Sequence, residues 1–343
     1  MRLWNTVVGP TDGPTVDLGL DLGSSMTRVV GRSGEVVSLP TVVAFSNDLD
    51  GGDSETIGDS ALQLLGRAPS GMHVVQPIHH GLPLEHEALE RFVRVLYKRV
   101  HGRSAPRVVA TVPQEATEVQ RRALVDCLRK AGAAAVTVLP SFVCAAIGSG
   151  IPLGEPKGHL LMELGAGRCG VTVLTANGGA IAKATSVGGF AMDEHIVRWG
   201  RSVAGALMSR ADAAKVRESI CAADPLAEMR ARRLRVRSLA TGAPIDLDIT
   251  TRQAAEAIQP IIERLKQLLL EALAETPPEL AADVLEHGMI LCGGVARTRE
   301  LDAVFRDCTG LPVIVSPEPE QSTIKGLQSI VSRRVALRDL LGQ

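Results

Sequence analysis

The sequence predicts an α/β fold of two lobes, and three observations carry the prediction. A local pattern occurs twice, as VDLGLDLGSSMTRVV around Asp21 and as HLLMELGAGRCGVTVL around Glu163. In each copy a strand ends in an acidic residue and a glycine turn, then runs into a second strand. A third glycine pair, Gly293 and Gly294, follows an apolar run at residues 289–291. Small residues in such turns let backbone N–H groups approach a phosphate, while the acidic side chain is aimed at a phosphate-bound cation. Two turns, one per lobe, suggest two grips on one nucleotide.

The elements follow in order along the first half. Residues 16–40 read as three short strands, with Arg32-Ser33-Gly34 as the turn before the third. Residues 46–54, rich in Asp, Gly and Asn, form a surface loop. Helical spacing appears at residues 57–66 and again at 84–100, where Leu89, Phe92, Val93 and Leu96 face inward. Between them His79-His80-Gly81 belongs to a turn, because adjacent histidines without further ligands at useful spacing make a poor metal site. A strand at 107–112, a helix at 116–131 ended by Gly132, a strand at 135–139 and a small-residue helix at 141–149 complete this half.

Gly154-Glu155-Pro156-Lys157-Gly158 is a natural boundary between lobes. Strands at 160–164 and 170–175 follow, Asn177-Gly178-Gly179 supplies hairpin chemistry, and residues 181–187 complete a meander matching the first. Helices dominate 190–222, and the basic run at 229–237 reads as a solvated face. A long helix at 251–275 contains Pro260, where a kink or break is expected. Thr276-Pro277-Pro278-Glu279 then reads as a helix start, with Thr276 as cap and Glu279 completing a capping box, ahead of a strand at 288–291.

Composition narrows the function classes. The 343 residues suffice for two domains, and 45% apolar with 22% charged residues is the balance of a soluble globular protein. A formal net charge of −1 and only 2% aromatics give no reason to expect nucleic-acid binding. Cys127, Cys144, Cys169, Cys221, Cys292 and Cys308 lack C-x-x-C spacing, so buried thiols in a reducing cytoplasm are the better reading. No apolar run approaches the roughly 20 residues that span a bilayer, and no secretory signal is evident. Leu3, Trp4, Val7 and Val8 would share one face of a helix stopped by Gly9-Pro10. So short a helix is marginal alone and would anchor to a membrane only in many copies, as in a polymer.

The order DLGLDLGSSMT, VPQEATEVQRRAL, AAIGSGIP, the turn after Glu163, SVGGFAMDE, TPPELAADVLEHGMILCGG and TGLPV resembles the bacterial actins of the MreB type, collinearly from about Asp17 to Gly326. The resemblance implies an actin-like fold of two lobes, each with a mixed sheet flanked by helices and a smaller part, and ATP and Mg²⁺ as ligands. It also implies self-assembly into filaments at the inner face of the cytoplasmic membrane that guide cell-wall synthesis proteins. On this division residues 1–16 are a tail, 17–150 with 311–343 form the first lobe (smaller part about 35–72), and 151–310 form the second (smaller part about 183–250).

Carried over residue by residue, the resemblance assigns the first phosphate turn to Asp21, Gly23, Ser24, Ser25 and Met26. Ser25 and Met26 stand where the family has Ala and Asn. The second turn is Glu163, Gly165, Ala166, Gly167 and Arg168, where the family has Asp-Ile-Gly-Gly-Gly-Thr-Thr. Asp21 and Glu163 would hold Mg²⁺ through water. Arg168 replaces a small hydroxyl residue and either pairs with phosphate or blocks it. Ala214 and Arg217 fall on the adenine and ribose side. Gly293, Gly294, Val295 and Ala296 form the third turn, with Val295 in place of a glycine and strained if that position needs positive φ. Ser141 takes the position of the glutamate that orients the attacking water, after Pro140, and a serine is a poor base near neutral pH. Three readings follow: a divergent MreB-like filament protein that binds nucleotide with doubtful hydrolysis, an active ATPase with an altered site, or an adaptor that works without nucleotide. The segment Tyr97 to Arg103 lacks the family's bulky apolar tip, leaving a solvated loop or a basic contact with anionic lipid.

Overall fold

The computed structural model describes residues 16–46, 55–102, 105–175 and 178–336. The chain divides into two compact units. One draws on residues 1–156, 175–180 and 321–343, the other on 157–174 and 181–320. The apolar face expected at Leu3, Trp4, Val7 and Val8, and most of the loop at 46–54, lie outside the described residues.

In the first unit β1 (Leu18–Leu22), β2 (Met26–Gly31) and β3 (Val36–Pro40) form the expected meander. A second, three-stranded sheet joins β4 (Val43–Ser46), β5 (Thr56–Ile57) and, after the one-turn helix α1 (Asp59–Leu62), β6 (Met72–Val75). The helix expected over 57–66 is thus only a single turn. Leu62 and Leu65 are exposed, so no apolar stripe is buried to extend it. A hairpin of β7 (Ile78–His79) and β8 (Leu82–Pro83) has His80 and Gly81 both at positive φ, the geometry of a two-residue turn with the strands' own twist. Helix α2 (His86–Val100) buries Leu89, Phe92, Val93 and Leu96 as its spacing predicts. Strand β9 (Arg107–Val112), α3 (Glu118–Lys130), β10 (Ala135–Pro140) and α4 (Ser141–Gly148) follow. Thr117 closes a full capping box on α3 with Gln120. The main sheet has the order β10-β9-β1-β2-β3, antiparallel through β1–β2–β3 and parallel through β1–β9–β10.

The second unit repeats this topology. Its strands β11 (His159–Leu164), β12 (Cys169–Thr175) and β13 (Gly178–Thr185) lead into α5 (Gly189–Ser202), β14 (Ala206–Leu207) and α6 (Arg210–Ser219). Strands β15 (Ala231–Ser238) and β16 (Pro244–Thr250) pair antiparallel and, with β14, make a separate three-stranded sheet. The basic run is therefore an alternating strand. Arg233 lies opposite Asp248 and makes two 2.8 Å hydrogen bonds to it, and Arg235 lies opposite Asp246. The positive face is matched by acid rather than left for a polyanion. Helix α7 (Thr251–Ala274) runs on through Pro260, so the expected break is absent. Ten of its residues are buried, and that packing offsets the hydrogen bond proline removes.

Helix α8 (Pro278–His287) has Pro277, not Thr276, at its cap position: no side chain caps it, and Thr276 Oγ1 instead donates back to Ala272 O at 2.8 Å. Strand β17 (Met289–Cys292), α9 (Leu301–Thr309) and β18 (Val313–Val315) finish a sheet of order β13-β12-β11-β17-β18. Because β18 pairs with β17, residues 311–320 lie with the second unit, whereas the sequence division placed them with the first. The chain rejoins the first unit with α10 (Ser322–Val331). There α4 and α10 cross at glycines: a Cβ on Gly148 would lie 1.8 Å from Ser322 O, and one on Gly326 1.9 Å from Cys144 O. The contact admits no side chain at either point.

Candidate functional site

Each duplicated turn sits where the leading strand of its sheet ends, and the two share one closing bond while their remaining carbonyls are tied by different partners. In the first, Gly23 N–H donates to Met26 O at 3.2 Å. Thr41 serves the other two carbonyls: its Oγ1 donates to Gly23 O at 2.7 Å and its N–H to Ser25 O at 2.9 Å. Thr27 Oγ1 in turn donates to Thr41 Oγ1, 2.9 Å away. With the carbonyls at Gly23, Ser25 and Met26 tied, the turn is electrostatically one-sided, since its carbonyl dipoles are committed to the protein. A Cβ on Gly23 would lie 2.6 Å from Met26 O, so the tight turn itself excludes a side chain there. Ser24 Oγ accepts from Gly81 N–H at 3.1 Å, which leaves its own proton as what it can offer an anion. The His79-His80-Gly81 segment, a turn as the sequence predicts, thereby braces the first glycine turn.

In the second turn Gly165 N–H donates to Arg168 O at 2.9 Å, the counterpart of the Gly23 bond. The carbonyls of Gly165 and Ala166 accept from Gly189 N–H at 3.1 Å and Phe190 N–H at 2.8 Å, at the start of α5. Gly188 is at φ −168, open to any residue, yet a Cβ there would lie 2.4 Å from Gly165 O and 2.8 Å from Ala166 O. Space, not φ, demands glycine at that position.

The acids end their strands as expected. Asp21 Oδ1 accepts from Thr111 Oγ1 at 3.2 Å, and Arg28 Nη1 lies 4.0 Å from Oδ2. Burial pushes the Asp21 carboxyl above its ordinary range, and Arg28 and Thr111 pull it back only in part. Arg168 Nη1 lies 4.0 Å from Glu163 Oε2. Each carboxylate thus already faces a fixed cation, and this donor set fits a tightly held Mg²⁺ poorly. Among the described residues no group of three or more His, Cys, Asp or Glu could hold a metal ion.

At the third turn Gly293 has φ 89 and donates to Pro319 O at 2.6 Å. Gly294, Val295 and Ala296 begin a short 3-10 helix, and Val295 is not at positive φ, so the strain considered for it does not arise. Val295 and Ala296 bury their side chains in the second unit's core, which leaves only their backbone for a ligand. On α6, Ala214 is half-buried and Arg217 Nε donates to Asp193 Oδ1 at 2.7 Å. Burial raises the Asp193 carboxyl despite that partner. Ser141 is the first residue of α4, and its Oγ is buried without a hydrogen-bond partner among the described residues. No base is bonded to it to draw off its proton.

Sequence reasoning missed Thr41, Thr111, Arg28 and the bracing by Gly81, and it noted Gly188-Gly189 without a role. The motif SVGGF was the visible signal for the last; Thr41, Gly81 and Thr111 act across 18 to 90 residues of chain, and Arg28 meets Asp21 only through strand register.

A five-stranded sheet built twice in one order, with a glycine turn after an acid on each leading strand, defines the actin-like class of proteins. The chain matches the structure of MreB5 of Spiroplasma citri bound to ADP with a TM-score of 0.85 at 24% identity, over 90% of this chain and 94% of that one. It matches the MamK double helical filament with a TM-score of 0.74 at 19% identity, over 94% and 99%. The family model for MreB/Mbl protein covers residues 15–339. The cell shape-determining protein MreB of Escherichia coli K12 is 34% identical over 317 residues, 90% of this chain and 91% of the relative. The chain belongs to the MreB/Mbl family.

Proposed function

We propose that this protein is a cell-shape filament protein that binds an adenine nucleotide through its two glycine turns and hydrolyses it weakly or not at all. The observation that carries the reading is the duplicated turn: a Gly N–H bonded to the carbonyl three residues on, with the turn's carbonyls tied back in both units. That construction offers backbone N–H groups to phosphate twice. The relatives agree with it, one crystallised with ADP and another solved as a double helical filament. Cell shape enters from the name of the Escherichia coli relative.

Weak hydrolysis rests on Ser141, whose hydroxyl has no hydrogen-bond partner among the described residues and is by itself a poor base near neutral pH. This favours the filament reading over an active ATPase with an altered site. Self-association, residence at the inner face of the cytoplasmic membrane and partnership with cell-wall synthesis proteins complete the proposal. Among the described residues no helix is long and apolar enough to cross a membrane. High-speed sedimentation of the purified chain with ATP, ADP or neither, with and without anionic vesicles, tests it. Nucleotide-dependent pelleting is expected. A protein that stays in the supernatant under every condition would refute the filament role.

A further inference from the structure

The two acidic positions obtain a counter-charge by different routes. Asp21 and Arg28 are directly opposed on β1 and β2, so their side chains leave the same face of the sheet. The corresponding partner of Glu163 on β12 is Gly170, which has no side chain. Arg168 folds back over it: Nη2 lies 2.8 Å from where a Cβ of residue 170 would be, and Nη1 lies 4.0 Å from Glu163 Oε2. The same cross-strand slot thus holds a guanidinium in both units, once from the opposed residue and once from a neighbour occupying its space. The enclosure is alike too, with side chains 15% and 17% exposed in the first pair and 13% and 16% in the second.

We propose that Arg28 and Arg168 take over the charge role of a divalent cation, so that this chain binds nucleotide phosphate with little dependence on Mg²⁺. The inference rests on the nucleotide-binding reading. A Mg²⁺ ion needs carboxylates free to order its water shell, and a tethered guanidinium within 4.0 Å both cancels the carboxylate's charge and repels the ion. A guanidinium also donates to phosphate oxygens directly, in a planar fork that an ammonium lacks.

The test is ATP and ADP affinity of the full chain by calorimetry, in excess Mg²⁺ and in EDTA. Affinities within about threefold of each other are expected, a difference well below the tenfold step that marks a lost interaction. In the double variant Arg28→Leu with Arg168→Thr, removing Mg²⁺ is expected to weaken binding at least about tenfold. Single Arg→Lys variants keep the charge and provide a second comparison should the double variant fold poorly. Wild-type affinity that collapses in EDTA overturns the inference but leaves nucleotide binding standing, and so does a well-folded double variant that still ignores Mg²⁺. No binding in either buffer overturns both.

Discussion

Substituting Gly188 by alanine tests how the second phosphate turn is held. A Cβ there would lie 2.4 Å from Gly165 O and 2.8 Å from Ala166 O, the two carbonyls that accept from Gly189 and Phe190. Relief of the shorter contact, from 2.4 Å to ordinary van der Waals separation, requires the turn to move about 1 Å from the start of α5. Two hydrogen bonds then stretch, each contributing about 0.5–1.5 kcal/mol, and crowding of the packed backbone adds about 1–3 kcal/mol. A loss of about 2–6 kcal/mol from the second unit follows. Because the turn carrying the phosphate N–H groups moves with it, nucleotide affinity falls by tenfold or more on the order of its misplacement. Gly294→Ala is the matched control: nothing lies within 4 Å of its Cβ position, and Gly294 is not at positive φ. Urea unfolding of both variants, and nucleotide titration of Gly188→Ala against the wild type because Gly294 itself belongs to the third turn, decide the matter. If Gly188→Ala and Gly294→Ala unfold at the same urea concentration, the clamp drawn here is wrong.

Three further outcomes are expected. The Asp21 carboxyl is raised in the folded state, so its contribution is fully favourable below its ordinary value of 3.8 and is lost as pH rises through the raised value; melting curves across pH should show Asp21→Asn gaining on the wild type over that window and no further change below it, and a gain as pH falls would contradict the sign. Burial pushes the thiols of Cys169 and Cys221 up to about 12, while Cys308 is only partly buried; native alkylation followed by peptide mapping should label Cys308 first and leave the other two untouched. Pro260 is exposed within α7, so Pro260→Ala restores a helix hydrogen bond and should raise stability by about 1–3 kcal/mol in chemical denaturation, whereas a loss would mean that the proline shapes the helix.

Much of the scaffold was legible because its signals are local. The strand, acid and glycine turn of each repeat lie within a few residues, and period and breakers located α2, α3 and the β9 to β10 unit. Thr276 was misread because a hydroxyl between two helices can accept from the N–H groups of the next or donate to a carbonyl of the last, and it donates to the end of α7. Strand β16 was not anticipated, so the arginines of β15 were read without the aspartates that face them. The fine structure of the phosphate turns was less accessible. Thr41 reaches Gly23 from 18 residues away, and Thr111 reaches Asp21 from 90, distances over which only the folded sheet fixes proximity. Arg28 looked like one residue of an alternating strand until its register set it opposite Asp21. Arg168 offered two roles in the sequence, and the missing side chain at Gly170 is what gives its guanidinium a place beside Glu163.

The central claim is that the phosphate-binding frame persists in both units while the hydrolytic residue does not. Phosphate release measured alongside pelleting, in one tube with ATP, tests it most directly. The account predicts polymer in the pellet with phosphate no faster than in buffer alone. Phosphate released in step with polymer, and lost in Asp21→Ala, would contradict it.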